Sequence, residues 1–154
     1  MAVRILLLAA IVAASPASAA SSRSGLTVVR VVSTVISKHD RDVAPKGWSA
    51  GDSVAFSDKL TNAVAQFGRS KGVRVGSDQG VVRFVKRGVI TLTGTATLPD
   101  GTIRIKGRIS PRPHGYVVPV SGGTGRYASA RGTVKVVNMS KDGSVTLNVY
   151  TLSA

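Results

Sequence analysis

The sequence predicts an all-β fold, an eight-stranded antiparallel up-and-down β-barrel, on three observations. Apolar and polar residues alternate at period two through most of the chain after Gly25, with Val, Ile and Thr enriched. About eight such segments follow one another, joined mainly by short turns. No long amphipathic helix is present to cover an open sheet, and closure into a barrel removes the sheet edges without one. A β-sandwich is the alternative arrangement of the same strands.

The first segment stands apart from this pattern. Arg4 precedes an unbroken apolar run from Ile5 to Ala14, and Ala17-Ser18-Ala19 supplies the small residues of a cleavage site. Residues 1–19 therefore read as a secretory signal peptide cut before Ala20. The apolar run is well short of the roughly twenty residues a helix needs to cross a bilayer. Residues 20–25 are expected to be a flexible N-terminus and residues 26–154 the barrel domain. Only Arg4 among the charged side chains leaves with the signal, so the exported protein, secreted or held in the cell envelope, keeps almost all of the net charge of +14.

Leu26 to Ser37 is the first strand candidate, and Lys38 to Gly51, with Pro45 and two glycines, reads as a loop. In Asp52 to Thr61 the residues Val54, Phe56, Asp58 and Leu60 share one face. Asn62 to Gly72 is either a helical turn or a loop. Val73 to Lys86 is one bent strand or two short pieces, because Gly76 and Gly80 mark a bulge or a close approach. After the Arg87-Gly88 turn the alternation is clearest: Ile90, Leu92, Gly94, Ala96 and Leu98 oppose four threonines, and Pro99-Asp100-Gly101 closes a hairpin. Thr102 to Ile109 repeats the pattern with Arg104, Lys106 and Arg108 on the polar face. Tyr116 to Ser121, Thr133 to Ser140 and Ser144 to Leu152 complete the set, the last two joined by a Lys141-Asp142-Gly143 turn.

Composition removes several chemistries. The chain has no Cys and two isolated His, His39 and His114, so disulfides, thiolate nucleophiles and zinc sites are not expected, and no metal or cofactor is implied. Its 21 Lys and Arg face 7 acids, all of them Asp. Such a charge attracts anionic cell-wall or membrane surfaces. Nucleic acid is not expected as a partner, because the few aromatics form no cluster on the basic strands.

Gly122-Gly123-Thr124-Gly125 lacks the Gly-Lys-Ser/Thr ending of a phosphate loop and a helix behind it, so it reads as a structural loop whose glycines supply positive backbone angles. His39-Asp40 reads as a solvated pair without a nucleophile. Asp58 is the more informative acid. It either enters the lumen, where desolvation would raise its pKa, or sits exposed at a strand end. Arg131, between Ala130 and Gly132, is either a lumen cation or an external charge.

These residues resemble a known group. The run from Gly51 to Leu60, then Val75-Gly76 and Gly80, then Leu98 to Ile103 with Gly107, and then Val120-Ser121-Gly122-Gly123-Thr124-Gly125-Arg126-Tyr127 with Ala130-Arg131-Gly132 are similar to the dirigent and allene oxide cyclase barrel superfamily. The matches run in order from about Leu26 to Leu152. The resemblance implies an eight-stranded barrel with a largely apolar pocket, assembled as dimers or trimers. Dirigent proteins steer coupling of phenoxy radicals made by a separate oxidase, and the cyclases close a fatty-acid product inside the pocket. Both hold a reactive intermediate in one conformation.

Position by position, Phe56 falls where the cyclases carry a pocket aromatic and Asp58 where they carry a pocket Asn. Val35 stands near the place of the cyclase Glu and Val82 at that of a cyclase Cys. With no Glu in the chain, cyclase activity is not expected, and dirigent-type guidance without oxidation by this chain is. His39-Asp40 and Arg131 match dirigent positions. The resemblance thus implies Asp58, Arg131 and Asp40 as candidate catalytic residues, and Phe56, Asp58, Tyr127 and Arg131 as contacts to a small hydrophobic or phenolic ligand. A cationic envelope protein that binds a polyanion and uses the barrel as scaffold is the alternative. External placement of Arg104, Lys106 and Arg108 around a filled lumen would favour it, and an open lumen containing Asp58 would favour the pocket.

Overall fold

The structure, a computed structural model, describes residues 25–153; the expected signal peptide and residues 20–24 lie outside them. Eight strands follow in order: β1 (Thr27–Arg41), β2 (Ser53–Asn62), β3 (Arg74–Lys86), β4 (Val89–Leu98), β5 (Gly101–Ile109), β6 (Gly115–Gly123), β7 (Arg131–Asn138) and β8 (Val145–Ser153). One turn of 3-10 helix, Gly125–Tyr127, interrupts the β6–β7 connection. Each strand pairs antiparallel with the next, and β1 pairs with β8 from Thr27↔Leu152 to Thr34↔Val145, which closes the barrel.

The alternation read from the sequence is what builds the wall. In β4, Ile90, Leu92, Ala96 and Leu98 are buried, and in β5 Ile103 and Ile109 are buried while Arg104, Lys106 and Arg108 are exposed. Leu60, Ile103, Val31, Val118 and Val134 are fully enclosed, and each contributes about 1.5–3 kcal/mol by leaving water. Fold class and strand count agree with the sequence. The segment from Asn62 to Gly72 is a loop rather than a helical turn, held by the Asn62 amide donating to the Gln66 carbonyl (2.9 Å) and the Arg69 carbonyl (3.0 Å). Arg74–Lys86 is a single strand.

One boundary differs from expectation. Lys38 to Arg41 is not loop but the end of β1, pairing with β2 from Lys38↔Phe56 to Arg41↔Ser53. Both faces of this overhang meet solvent, so it carries no apolar alternation to read. A bulge between Val35 and Ser37 shifts the register there, which lets Val35 and Lys38, three residues apart, face the same lumen.

The two ends of the barrel differ. At one end the 3-10 turn packs down, with Tyr127 2% exposed among Val29, Leu98, Ala130 and Leu152 of the core. Of the expected glycine loop, Gly122 and Gly123 are instead the end of β6, paired with Arg104 and Ile103 of β5, and the chain leaves the strand only at Thr124. Gly122 and Gly125 have φ of 131° and 58°, and Thr124 accepts from the Thr102 amide at 3.1 Å, tying the loop to the β4–β5 hairpin. At the opposite end the 42–52 loop is pinned by buried Asp52, which accepts from the Val43 amide (2.8 Å) and the Ser49 amide (2.6 Å). Trp48 of this loop stacks on Phe84, with ring centroids 4.6 Å apart.

Candidate functional site

The lumen holds a cavity of about 450 Å³. Lys38 and the β7–β8 turn, Asp142 to Ser144, line it on the side of the 42–52 loop, so this is its mouth. Val54, Phe56, Val82, Leu92, Ile105 and Val134 form apolar wall. Phe56 fits because Gly80, its partner across β2–β3, has no side chain: a Cβ there would stand 2.7 Å from the ring and 2.6 Å from the Thr93 carbonyl oxygen. Val35 and Val82, the positions at which the resemblance expects the cyclase Glu and Cys, both line the cavity.

Deeper in, the lumen becomes polar. Asp58 of β2 and Asp78 of β3 are direct cross-strand partners, and both line the cavity. Asp58 is 8% exposed and accepts from the Ser33 hydroxyl of β1 at 2.7 Å. One oxygen of each carboxyl, Oδ1 of Asp58 and Oδ1 of Asp78, is buried, and with both groups ionised neither has a donor in the protein. Burial raises the pKa of Asp58. Burial and then the adjacent charge of Asp58 push Asp78 up to about 7. Two carboxylates in one desolvated site cannot both ionise cheaply, so the pair retains one proton near neutral pH and titrates as a unit. Tyr116 and Tyr150 line the same cavity, and burial followed by the charge of Asp78 raises both phenols, keeping them protonated. Asn148, accepting from the Thr146 hydroxyl at 3.0 Å, completes the polar end.

Among the residues expected from the sequence, Phe56 and Asp58 are thus brought together in the lumen. Asp40 stands on the β1 overhang, more than half exposed and 3.6 Å from Lys38 in a surface ion pair. Exposed His39 is beside it. Tyr127 lies in the packing of the closed end and does not line the lumen cavity. Arg131 is exposed on β7, alternating with buried Val134 and Val136, and its guanidinium donates to the Ala130 carbonyl at 3.1 Å; it too is outside the cavity lining. Asp78, Ser33, Tyr116 and Tyr150 were not singled out in the sequence. The signal for Asp78 was the same as for Asp58, an acid in phase with Gly76, Gly80 and Val82 on one strand face.

No family model and no curated protein matches the sequence. Solved structures do match the fold. A pyocyanin demethylase aligns with a TM-score of 0.70 at 21% identity, over 82% of this chain and 99% of that one. A pterocarpan synthase dirigent protein aligns with a TM-score of 0.62 at 21% identity, over 84% and 83%. A Diels-Alderase from Streptomyces koyangensis gives 0.66 at 20% identity, over 84% and 63%. The chain has the dirigent-type barrel fold. Within this dirigent-type barrel, the lumen carries the Asp58–Asp78 pair and the apolar wall around Phe56.

Proposed function

We propose that this barrel is a binding chamber for a small, largely apolar or phenolic molecule, which it holds in one conformation for ring closure or coupling. The observation that carries the reading is the facing of Asp58 and Asp78 in the lumen, each with a buried oxygen that has no donor from any other residue. A buried acceptor without a donor costs free energy, roughly 1–3 kcal/mol, which a ligand hydroxyl or N–H removes. The ligand therefore combines an apolar body, matched to the Phe56 wall, with a donor group at its inner end. A pair holding one proton can accept from that group at one carboxyl while the other donates, and this is how it would assist a ring closure without a change of oxidation state. Pocket preorganisation supplies the rest by restricting the bound molecule to one reactive geometry. A cavity of about 450 Å³ falls within the range of small-molecule sites.

The same proposal includes export after cleavage near Ala19 and assembly as a dimer or trimer. The names of the neighbouring folds, a demethylase, a dirigent protein and Diels-Alderases, support small-molecule chemistry in such lumens. Native mass spectrometry of the exported chain against a panel of phenolics and oxygenated lipids tests the reading. Retention of a panel member that is lost in Asp58→Ala supports it, and no retention by the wild-type protein overturns it.

A further inference from the structure

Five cations on the outer wall are arranged in two rows that the lumen chemistry does not use. Between Gly101 and Lys141 the chain carries eight Lys and Arg and no acid. On β5, Arg104, Lys106 and Arg108 are all exposed, and on β7 Arg131 and Lys135 are exposed. Between the rows β6 turns Val117, Pro119 and Ser121 outward, an uncharged floor. Alternate residues of a strand lie about 7 Å apart and strands two apart lie about 10 Å from each other. The result is a track with cationic rails on either side.

The two ends of the track are closed in different ways. At one end the guanidiniums of Arg104 and Arg131 converge over Gly122: a Cβ there would lie 3.3 Å from Nη2 of Arg104 and 4.0 Å from Nη1 of Arg131. At the other end the β5–β6 pairing reaches no further than Ile105↔Val120, since Pro119 has no N–H to continue it. Into the resulting groove of about 600 Å³ face Arg108, Lys135, Arg112 and His114. The ion pairs among the described residues are Lys38–Asp40 and Arg126–Asp100, so none of the five rail cations is neutralised by a carboxylate of the chain. Like charges lined up in this way repel, and an anion laid between the rails removes that cost.

We propose that the outer face of β5, β6 and β7 is a docking track for a linear acidic polysaccharide, a site separate from the lumen. The cations are spread along a line instead of converging on one point, which suits an extended chain bearing repeated carboxylates or sulfates. Single-stranded nucleic acid would need aromatic surfaces on which bases stack. On this face Tyr116 is half buried, its place being in the lumen lining. A membrane would need apolar anchors, and the large apolar side chain exposed between the rails is Val117 alone.

The test sets two triple variants that lose the same charge beside a double variant of the second rail. Affinity of the folded chain for polygalacturonate and for heparin should fall at least ten-fold when Arg104, Lys106 and Arg108 are all changed to Gln, and also when Arg131→Gln and Lys135→Gln are combined. Lys46→Gln, Lys59→Gln and Lys71→Gln together, exposed positions off this face, should cost less than three-fold. Equal losses in the two triple variants overturn the proposal by reducing it to net charge. Tighter binding of oligothymidylate of matched charge, or retention by phosphatidylglycerol vesicles under saturating polygalacturonate, overturns the choice of partner.

Discussion

Asp58 and Asp78 stand opposite each other across β2 and β3, inside a lumen whose wall is otherwise mainly aliphatic and aromatic. Ser33 donates to one oxygen of Asp58. One further oxygen of each carboxyl is buried without a donor from any other residue. A pair of this kind destabilises the empty protein and is useful when a donor arrives.

The pH dependence of stability follows from the sign of the shift. Asp78 has a folded pKa of about 7, well above the ordinary carboxyl value of 3.8. Across that interval the folded state holds a proton that the unfolded chain has released, so stability falls as pH rises from about 4 to about 7 and then levels off. Asp78→Asn should therefore stabilise by about 1–3 kcal/mol at pH 8, with the gain vanishing below about pH 4. Urea denaturation at a series of pH values measures this. A destabilised Asn variant at pH 8 would contradict the pairing.

Ligand retention should separate lumen residues from the rest. Asp58→Asn, which keeps the size of the side chain, should weaken retention of a captured phenol about ten-fold or more, the loss expected for a hydrogen bond to a charged group. Arg131→Gln should leave retention unchanged, because the side chain lies on the outer wall. Isothermal titration with the phenol identified by mass spectrometry distinguishes the two.

Gly80 sets the position of the Phe56 ring. In Gly80→Ala the new methyl would sit 2.6 Å from the Thr93 carbonyl oxygen, which belongs to the sheet and cannot step aside, and 2.7 Å from Phe56. Overpacking of this sort costs about 1–3 kcal/mol. Thermal unfolding should show the loss, and the same variant should bind the phenol more weakly because the ring has been displaced into the lumen.

The mouth loop depends on one carboxylate. Asp52 accepts from the amides of Val43 and Ser49, and those bonds, Val43 first, hold its pKa below the usual value. Asp52→Ala should raise amide hydrogen exchange at Val43 and Ser49 at least ten-fold while leaving β4 and β5 protected. In the wild type, the contribution of this loop anchor is present above the unfolded pKa and is lost as pH falls through the folded one.

How much of this was legible in the sequence varied along the chain. Ile90 to Leu98 and Thr102 to Ile109 were readable because each second residue of the first is buried, exposed Arg104, Lys106 and Arg108 alternate with less exposed residues in the second, and the hairpin turn between them is tight. The β1 overhang was not, since Lys38 to Arg41 has solvent on both sides and its strand state comes from pairing with β2. The shared face of Phe56 and Asp58 was legible from alternation with Val54 and Leu60, but whether Asp58 enters the lumen was left open until the burial of that face showed it. Asp78 followed the same rule, but the glycines on either side of it obscured the strand. Tyr127 and Arg131 belong to a recognisable motif, yet a motif does not say which end of a barrel it caps or which side of the wall a residue faces. Only the β7 phase, with Val134 and Val136 inward, places Arg131 outside.

On this reading Asp58 and Asp78 share one proton in the lumen. Carboxyl-carbon NMR of the two side chains, titrated with and without the captured phenol, tests it most directly. A shared proton gives linked titrations, one step moving toward neutrality, a downward return of the Asp78 step in Asp58→Asn, and a shift of both signals on binding. Two independent titrations near the ordinary Asp value, unmoved by the phenol, would contradict it.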